Sequence, residues 1–403
     1  MSLGRRSFVK TLGVGGATVF AARRAGADLL SFLGTPGERP LLLHNNENPL
    51  GPGQAALDAV RAALGEGAPA GRYTFRMIED LHRTIAEKYG ARAENVATGC
   101  GSTQVLRAAV QRYTSPTKPL VAGELTYEEC AGYAAMMKRP VRPVTLDTAL
   151  RVDLDRLAAA ARGAGLVYLS NPNNPTATYA GARAVREFLS RVTTESPETY
   201  VVVDEAYFDY VTDPDHATHI PVAVENPHVI VARTFSKAYG MAGLRLGYAI
   251  GHPDTIKKLN DWDPAVGNTT LNVLTLRAGL AAIRQDPAVV AAERARNTAV
   301  REFTTRWFAD RGMRPAESQA NFLFVDIDRP AKPFREACRA KGVMVARDFP
   351  PFEKTHCRVS LGTIDEMKKA LAVFEDVLRK RTTDAPQRPG AVARAGDQGR
   401  VTR

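Results

Sequence analysis

The sequence predicts an α/β architecture, with a mostly parallel sheet of about seven strands between helix layers in a large domain and a smaller α+β domain after it. Three observations predict it. Short apolar, often β-branched runs recur at 96–99, 119–123, 140–146, 165–170, 200–204, 229–234 and 245–251, with helix-like segments between them. Alternation of this kind gives a parallel sheet with crossover helices on its faces. Runs such as Tyr200-Val201-Val202-Val203 are apolar throughout, which suits strands covered on both sides. Past about residue 275 the pattern changes to long helices near 286–311 and strands at 321–327, 342–347 and 357–361.

Thr363 and Glu366 then stand at capping-box spacing and open a last helix over 364–380. A chain of 403 residues can bury two cores of this kind. The expected division is a signal peptide at 1–27, an N-terminal segment at 28–70 that joins the small domain, a large domain at 71–275, a small C-terminal domain at 276–380 and a disordered tail at 381–403. No internal repeat and no stretch of membrane-spanning length is present in the sequence.

The formal net charge of +11 does not indicate a nucleic-acid partner, because of where it lies. Residues 1–27 carry five basic side chains and no acid, and residues 379–403 carry seven basic and two acidic ones, which leaves about +1 for everything between. The start, Gly4-Arg5-Arg6-Ser7-Phe8-Val9-Lys10, is followed by a moderately apolar run over Thr11–Ala22 and by Ala25-Gly26-Ala27, a small-residue cleavage site. That layout reads as an export signal too short to span a membrane. Its Arg-Arg-x-Phe-x-Lys pattern resembles the twin-arginine (Tat) signal, so a periplasmic or otherwise exported bacterial protein, handled by the Tat machinery, is expected. Cys100, Cys130, Cys338 and Cys357 show no C-x-x-C spacing, and the seven histidines show no metal-ligand spacing, so no metal is expected.

Four blocks carry the chemistry. Thr234-Phe235-Ser236-Lys237 follows a strand-like run, and Arg245 comes eight residues after Lys237 in a glycine-rich stretch. A lysine that forms a Schiff base needs its amine near a carbonyl, while surrounding hydroxyls and a guanidinium can anchor a phosphate. Tyr200-Val201-Val202-Val203-Asp204 delivers a carboxylate at the carboxyl edge of a buried strand, where ligands bind in open α/β sheets. Such an aspartate can hold a protonated pyridine nitrogen, and Tyr207 can donate to a ring oxygen. Asn171-Pro172-Asn173-Asn174-Pro175 supplies uncharged amides on the same edge. Gly99-Cys100-Gly101-Ser102-Thr103 opens the helix-like Val105–Tyr113 and offers an anion site of backbone N–H groups.

In this order the blocks resemble the fold-type-I aminotransferases that use pyridoxal 5′-phosphate (PLP), in particular the histidinol-phosphate aminotransferase group. The resemblance spans roughly 41–378 and includes His44-Asn45-Asn46-Glu47-Asn48-Pro49, Arg72-Tyr73, Asn321-Phe322 and Cys357-Arg358-Val359-Ser360. It implies that Lys237 is the Schiff-base and catalytic lysine, that Asp204 pairs with the pyridine nitrogen, and that Asn174 and Tyr207 bond the ring hydroxyl oxygen. Tyr127 would stack on the ring. Ser102, Thr103, Thr234, Ser236 and Arg245 would hold the phosphate, with Tyr73 reaching it from the other subunit of a homodimer. Arg358 would clamp the substrate α-carboxylate, with Asn45 also on the substrate side. Ala177, Thr74-Phe75, Glu124 and Cys100 depart from the family's usual residues, which bears on the substrate and removes no catalytic group.

The activity this implies is ping-pong transfer of an amino group between an L-amino acid (histidinol-phosphate-like, aromatic or other) and a 2-oxo acid such as 2-oxoglutarate. Racemisation, elimination or oxidation on the same cofactor is the alternative that the residues leave open. A nicotinamide-dependent dehydrogenase built on the Gly99–Ser102 turn lacks the third glycine and gives Lys237 and Asp204 no task.

Overall fold

Valine-rich strands with both faces hidden make the centre of the fold. The structure, a computed structural model, describes residues 40–65, 71–262, 271–285 and 287–379. The expected signal peptide and cleavage site and the tail from 381 lie outside these residues. Seven strands form the main sheet: β2 (Val96–Cys100), β3 (Leu120–Gly123), β4 (Val141–Val144), β5 (Leu166–Ser170), β6 (Tyr200–Asp204), β7 (Val229–Thr234) and β8 (Leu246–Gly251), in the order β2-β8-β7-β6-β5-β3-β4. Only β8 runs against its neighbours, pairing antiparallel with both β2 and β7.

Alternate residues of each strand go to opposite faces, so the sheet builds two cores at once. Val201, Val203, Val229 and Val231 enter one cluster, which packs against helices Phe75–Lys88, Ala182–Glu195 and Val273–Arg284. Val202, Ile230 and Ala232 enter the other, under helices Ser102–Tyr113 and Glu129–Met136. Helices on both faces of a mostly parallel sheet complete the three-layer arrangement expected from the sequence.

Beyond it stand two small sheets. One is antiparallel, with β10 (Phe322–Asp326) between β12 (His356–Ser360) and β9 (Arg314–Pro315). The other pairs β1 (Leu41–Leu43) in parallel with β11 (Val343–Val345), so chain from the start of the described region lies beside chain near its end. Their core includes Phe308, Leu323, Phe334 and Phe374, contributed partly by helices Pro287–Ala309, Ala331–Ala340 and Ile364–Arg379. The capping box forms as expected: the Thr363 amide donates to Glu366 Oε2 at 2.7 Å, and the Glu366 amide to Thr363 Oγ1 at 3.2 Å. Among the described residues, no helix is long and apolar enough to cross a membrane.

Candidate active site

Because β5, β6 and β7 are parallel and in register, Ser170 lies opposite Asp204, and Asp204 opposite Ala232. Their carboxyl ends therefore open on one edge of the sheet, where the backbone leaves room for a ligand. A cavity of about 430 Å³ lies there. Of the residues given a catalytic, cofactor or substrate role from the sequence, all but Tyr73 line it.

Asp204 stands at the floor, 3% exposed. Its Oδ2 accepts from the Tyr168 hydroxyl at 2.8 Å and its Oδ1 from the Ala206 amide at 3.1 Å. Burial pushes the carboxyl up to about 6, while those two hydrogen bonds hold it from rising further. Lys237 is half-buried on the same cavity, its Nζ donating to the Asn45 carbonyl at 3.1 Å and lying 5.5 Å from the Tyr207 ring centre. Burial, with the Arg358 guanidinium adding to it, brings the amine down to about 8. An amine in that range is available as a nucleophile near neutral pH.

The same cavity holds a cradle for an anion. Helix Ser102–Tyr113 starts at the cavity, so first-turn N–H groups and the positive end of the helix dipole point into it. The Thr234 hydroxyl donates to Ser236 Oγ at 3.0 Å, and the Ser236 amide donates to Thr234 Oγ1 at 3.1 Å, which holds both hydroxyls at the end of β7. Arg245 adds the charge. It adopts a left-handed backbone (φ 58°), costly for a residue with a side chain, and its carbonyl accepts from the Gly101 amide at 3.1 Å. Glycine is required beside it: Gly101 has φ +73°, and a Cβ there would strike the Arg245 guanidinium. A Cβ on Gly247 would overlap the Ser102 amide nitrogen. An anion cradle, a buried carboxylate and an amine in one cavity are the features a phosphorylated pyridine with a carbonyl requires, so the residues present fit PLP.

The third wall comes from the small sheets and the N-terminal segment. Arg358 on β12 is buried, its Nη1 donating to Asn174 Oδ1 and its Nη2 to the His44 carbonyl, both at 2.6 Å. Its Nε is buried without a partner, so the guanidinium keeps donor capacity for a ligand. Tyr207, pushed up to about 12 by burial, accepts from Asn46 Nδ2 at 3.1 Å. Tyr127 is positioned by the Asn loop: Asn173 Nδ2 donates to the Leu125 carbonyl at 2.9 Å, and Thr126 Oγ1 donates to Asn173 Oδ1 at 2.7 Å.

Tyr73 is the exception. It is 91% exposed and stacks on Phe75 with ring centres 5.7 Å apart, outside the cavity of its own chain. All four cysteines are free, with Cys100 exposed and the others buried. Sequence reasoning missed Tyr168, whose apolar strand context gave no sign of the carboxylate one strand away. It also missed the role of Asn46, whose amide donates to Ser360 Oγ at 2.8 Å while its Oδ1 accepts from the same hydroxyl at 2.8 Å. The Asn45-Asn46 doublet was the available signal.

A family model described as aminotransferase class I and II matches residues 38–374. The histidinol-phosphate aminotransferase of Moorella thermoacetica is 33% identical over 345 residues, covering 83% of this chain and 85% of that one. That of Gluconacetobacter diazotrophicus is 33% identical over 339 residues, covering 83% and 91%. Among solved structures, the histidinol-phosphate aminotransferase of Sinorhizobium meliloti in complex with pyridoxal-5′-phosphate is 28% identical with a TM-score of 0.76, covering 85% of this chain and 91% of that one.

Proposed function

Because the chain belongs to the aminotransferase class I and II family and is a PLP-dependent aminotransferase, we propose that Lys237 is its catalytic lysine and that the cavity residues share the work as follows. Bound there, PLP supplies a carbon that exchanges amines and a protonated ring that acidifies the substrate Cα–H. Asp204 keeps the pyridine nitrogen protonated, since a buried carboxylate gains most by facing a cation. Ser102, Thr103, Thr234, Ser236 and Arg245 hold the phosphate. Tyr127 stacks on the ring, and Asn174 and Tyr207 bond its hydroxyl oxygen. Arg358 and Asn45 orient the substrate, the guanidinium fork facing the α-carboxylate. With substrate in the cavity, Lys237 Nζ would be the base that takes the Cα proton and later returns it.

The single observation that carries this reading is that a half-buried amine brought down to about 8 shares one cavity with Asp204 and Arg245. The donor is an L-amino acid or a histidinol-phosphate-like amine and the acceptor a 2-oxo acid; the names of the relatives support the histidinol-phosphate class. A homodimer completes the site, with Tyr73 of each chain turned to the partner's cavity; its exposure supports this. The Arg5-Arg6-Ser7-Phe8-Val9-Lys10 start supports export through the Tat pathway to the periplasm, a route suited to a protein that folds around its cofactor first.

Lys237→Ala tests the assignment. The variant is expected to lose the visible cofactor band and to release no 2-oxo acid from any donor in a panel. Transamination at the normal rate would overturn it.

A further inference from the structure

One buried cluster of charge stands outside the cavity and has no part in the roles just given. Glu205 and Arg233 are 2% and 3% exposed, and neither lines the cavity. Each is the chain neighbour of a residue that does: Glu205 follows Asp204, and Arg233 precedes Thr234. The ladder between β6 and β7 ends where Asp204 faces Ala232, with one more bond from the Glu205 amide to the Ala232 carbonyl at 2.9 Å. Past that point the side chains take over, Arg233 Nε donating to Glu205 Oε2 at 2.9 Å. The Thr218 hydroxyl donates to the same oxygen at 2.8 Å, and the His219 amide donates to Oε1 at 2.8 Å. On its other side the Arg233 guanidinium lies 3.8 Å from the Phe208 ring centre, and its Nη1 donates to Asp209 Oδ1 at 3.4 Å, which ties down the turn that carries Tyr207. Its Nη2 is buried without a partner, a cost the fold bears to keep the guanidinium there. Burial alone would raise the Glu205 carboxyl, but Arg233 and His219 beside it hold it below the usual carboxylate range, so the cluster fits the ionised acid.

We propose that Glu205 and Arg233 are positioning residues: their ion pair fixes the distance between the Asp204 carboxylate and the hydroxyls that follow Arg233, and so matches the site to the span from ring nitrogen to phosphate in PLP. Each half of the site has ties of its own. Asp204 is held by Tyr168 and the Ala206 amide, and Thr234 and Ser236 hold each other. Those ties do not set how one half stands relative to the other past the end of the ladder. A ligand that reaches both halves gains from the link between its parts only if its length matches the gap. This inference rests on the placement of the pyridine nitrogen at Asp204 and of the phosphate in the cradle.

The test measures three ligands by NMR titration on the full-length protein freed of cofactor. Inorganic phosphate fills only the cradle, and pyridoxine has the ring without the phosphate. Pyridoxine 5′-phosphate joins the two and has no aldehyde for Lys237 to bond. Glu205→Gln keeps the shape, but a single oxygen is left for donors that now meet two. Arg233→Lys keeps a cation opposite Glu205 and loses the fork that also reaches Asp209, so it serves where the first variant does not fold. In either variant phosphate and pyridoxine are expected to bind within about twofold of the unaltered protein, and pyridoxine 5′-phosphate about tenfold or more weakly, the scale of a small misplacement in a fitted site. An unchanged affinity for pyridoxine 5′-phosphate would overturn the proposal. So would a loss for either fragment as large as the loss for the joined ligand, which is the mark of a merely structural role. Failure of the underlying reading looks different: Asp204→Asn would then bind pyridoxine, and Arg245→Gln phosphate, as tightly as the unaltered protein does.

Discussion

Replacing Asp204 with asparagine should stabilise the cofactor-free protein at neutral pH and leave it poorer at holding the cofactor. The carboxyl moves from an ordinary 3.8 to about 6 in the folded chain because its charge is buried. At about 1.36 kcal/mol per pKa unit, that rise makes full ionisation in the folded state unfavourable by about 3 kcal/mol. The folded protein holds the proton more tightly than the unfolded one. The stability this group contributes is therefore fully present below about 3.8 and is lost as pH rises through 6. Asparagine has no charge to bury. It can still accept from Tyr168, but its amide cannot satisfy the Ala206 N–H as well, a loss of about 1 kcal/mol that does not vary with pH. Urea unfolding of both cofactor-free proteins at pH 4.5, 6 and 8 measures the difference. The variant should gain about 2 kcal/mol on the wild type between the first and last of these, since about a third of the effect has already gone by the first. A gap between the two proteins that stays flat across the range would refute the reasoning, because it would mean that Asp204 does not carry a buried charge.

Two further predictions concern the same cavity. Tyr168→Phe removes a donor to the Asp204 carboxylate, and a hydrogen bond to a charged group contributes about 1.5–3 kcal/mol, so PLP affinity measured by fluorescence titration should fall by about tenfold or more; an unchanged affinity would show that the hydroxyl does not support the carboxylate. Gly101→Ala forces a Cβ into the Arg245 guanidinium at a left-handed backbone position, so it should lower stability by about 1–2 kcal/mol and weaken phosphate binding to the cofactor-free protein; normal melting and phosphate titration would contradict the cradle described here.

The strands and the chemistry that hangs on their ends were legible because both are local. A run such as Val201-Val202-Val203 ending in Asp204 states its burial and its edge in one stretch, and Thr234, Ser236 and Lys237 follow their strand directly. What stayed hidden depends on neighbours distant in sequence. Leu41–Leu43 is too short to show any period, and it is a strand only because β11 lies beside it. Tyr168 looks like one more core residue until β6 brings Asp204 next to it. Glu205 and Arg233 are separate charges in sequence, and only the pairing of β6 with β7 sets them against each other. The departure at Ala177 has a backbone meaning that the sequence did not reveal: this alanine sits at φ 64°, where a glycine would carry no penalty.

Asn46 and Ser360 are 314 residues apart and share two hydrogen bonds, and Arg358 reaches back to the His44 carbonyl across the same span. A ribosome therefore releases the strand ends, the anion cradle and the lysine long before the segment that closes the last wall. Until β12 emerges, the opening stretch around Asn46 can meet Tyr207 and Lys237 but lacks Ser360 and Arg358, and the cavity lacks its last wall. The wall that carries Arg358 is thus a feature of the completed polypeptide, although the strand ends and the lysine precede it by more than a hundred residues.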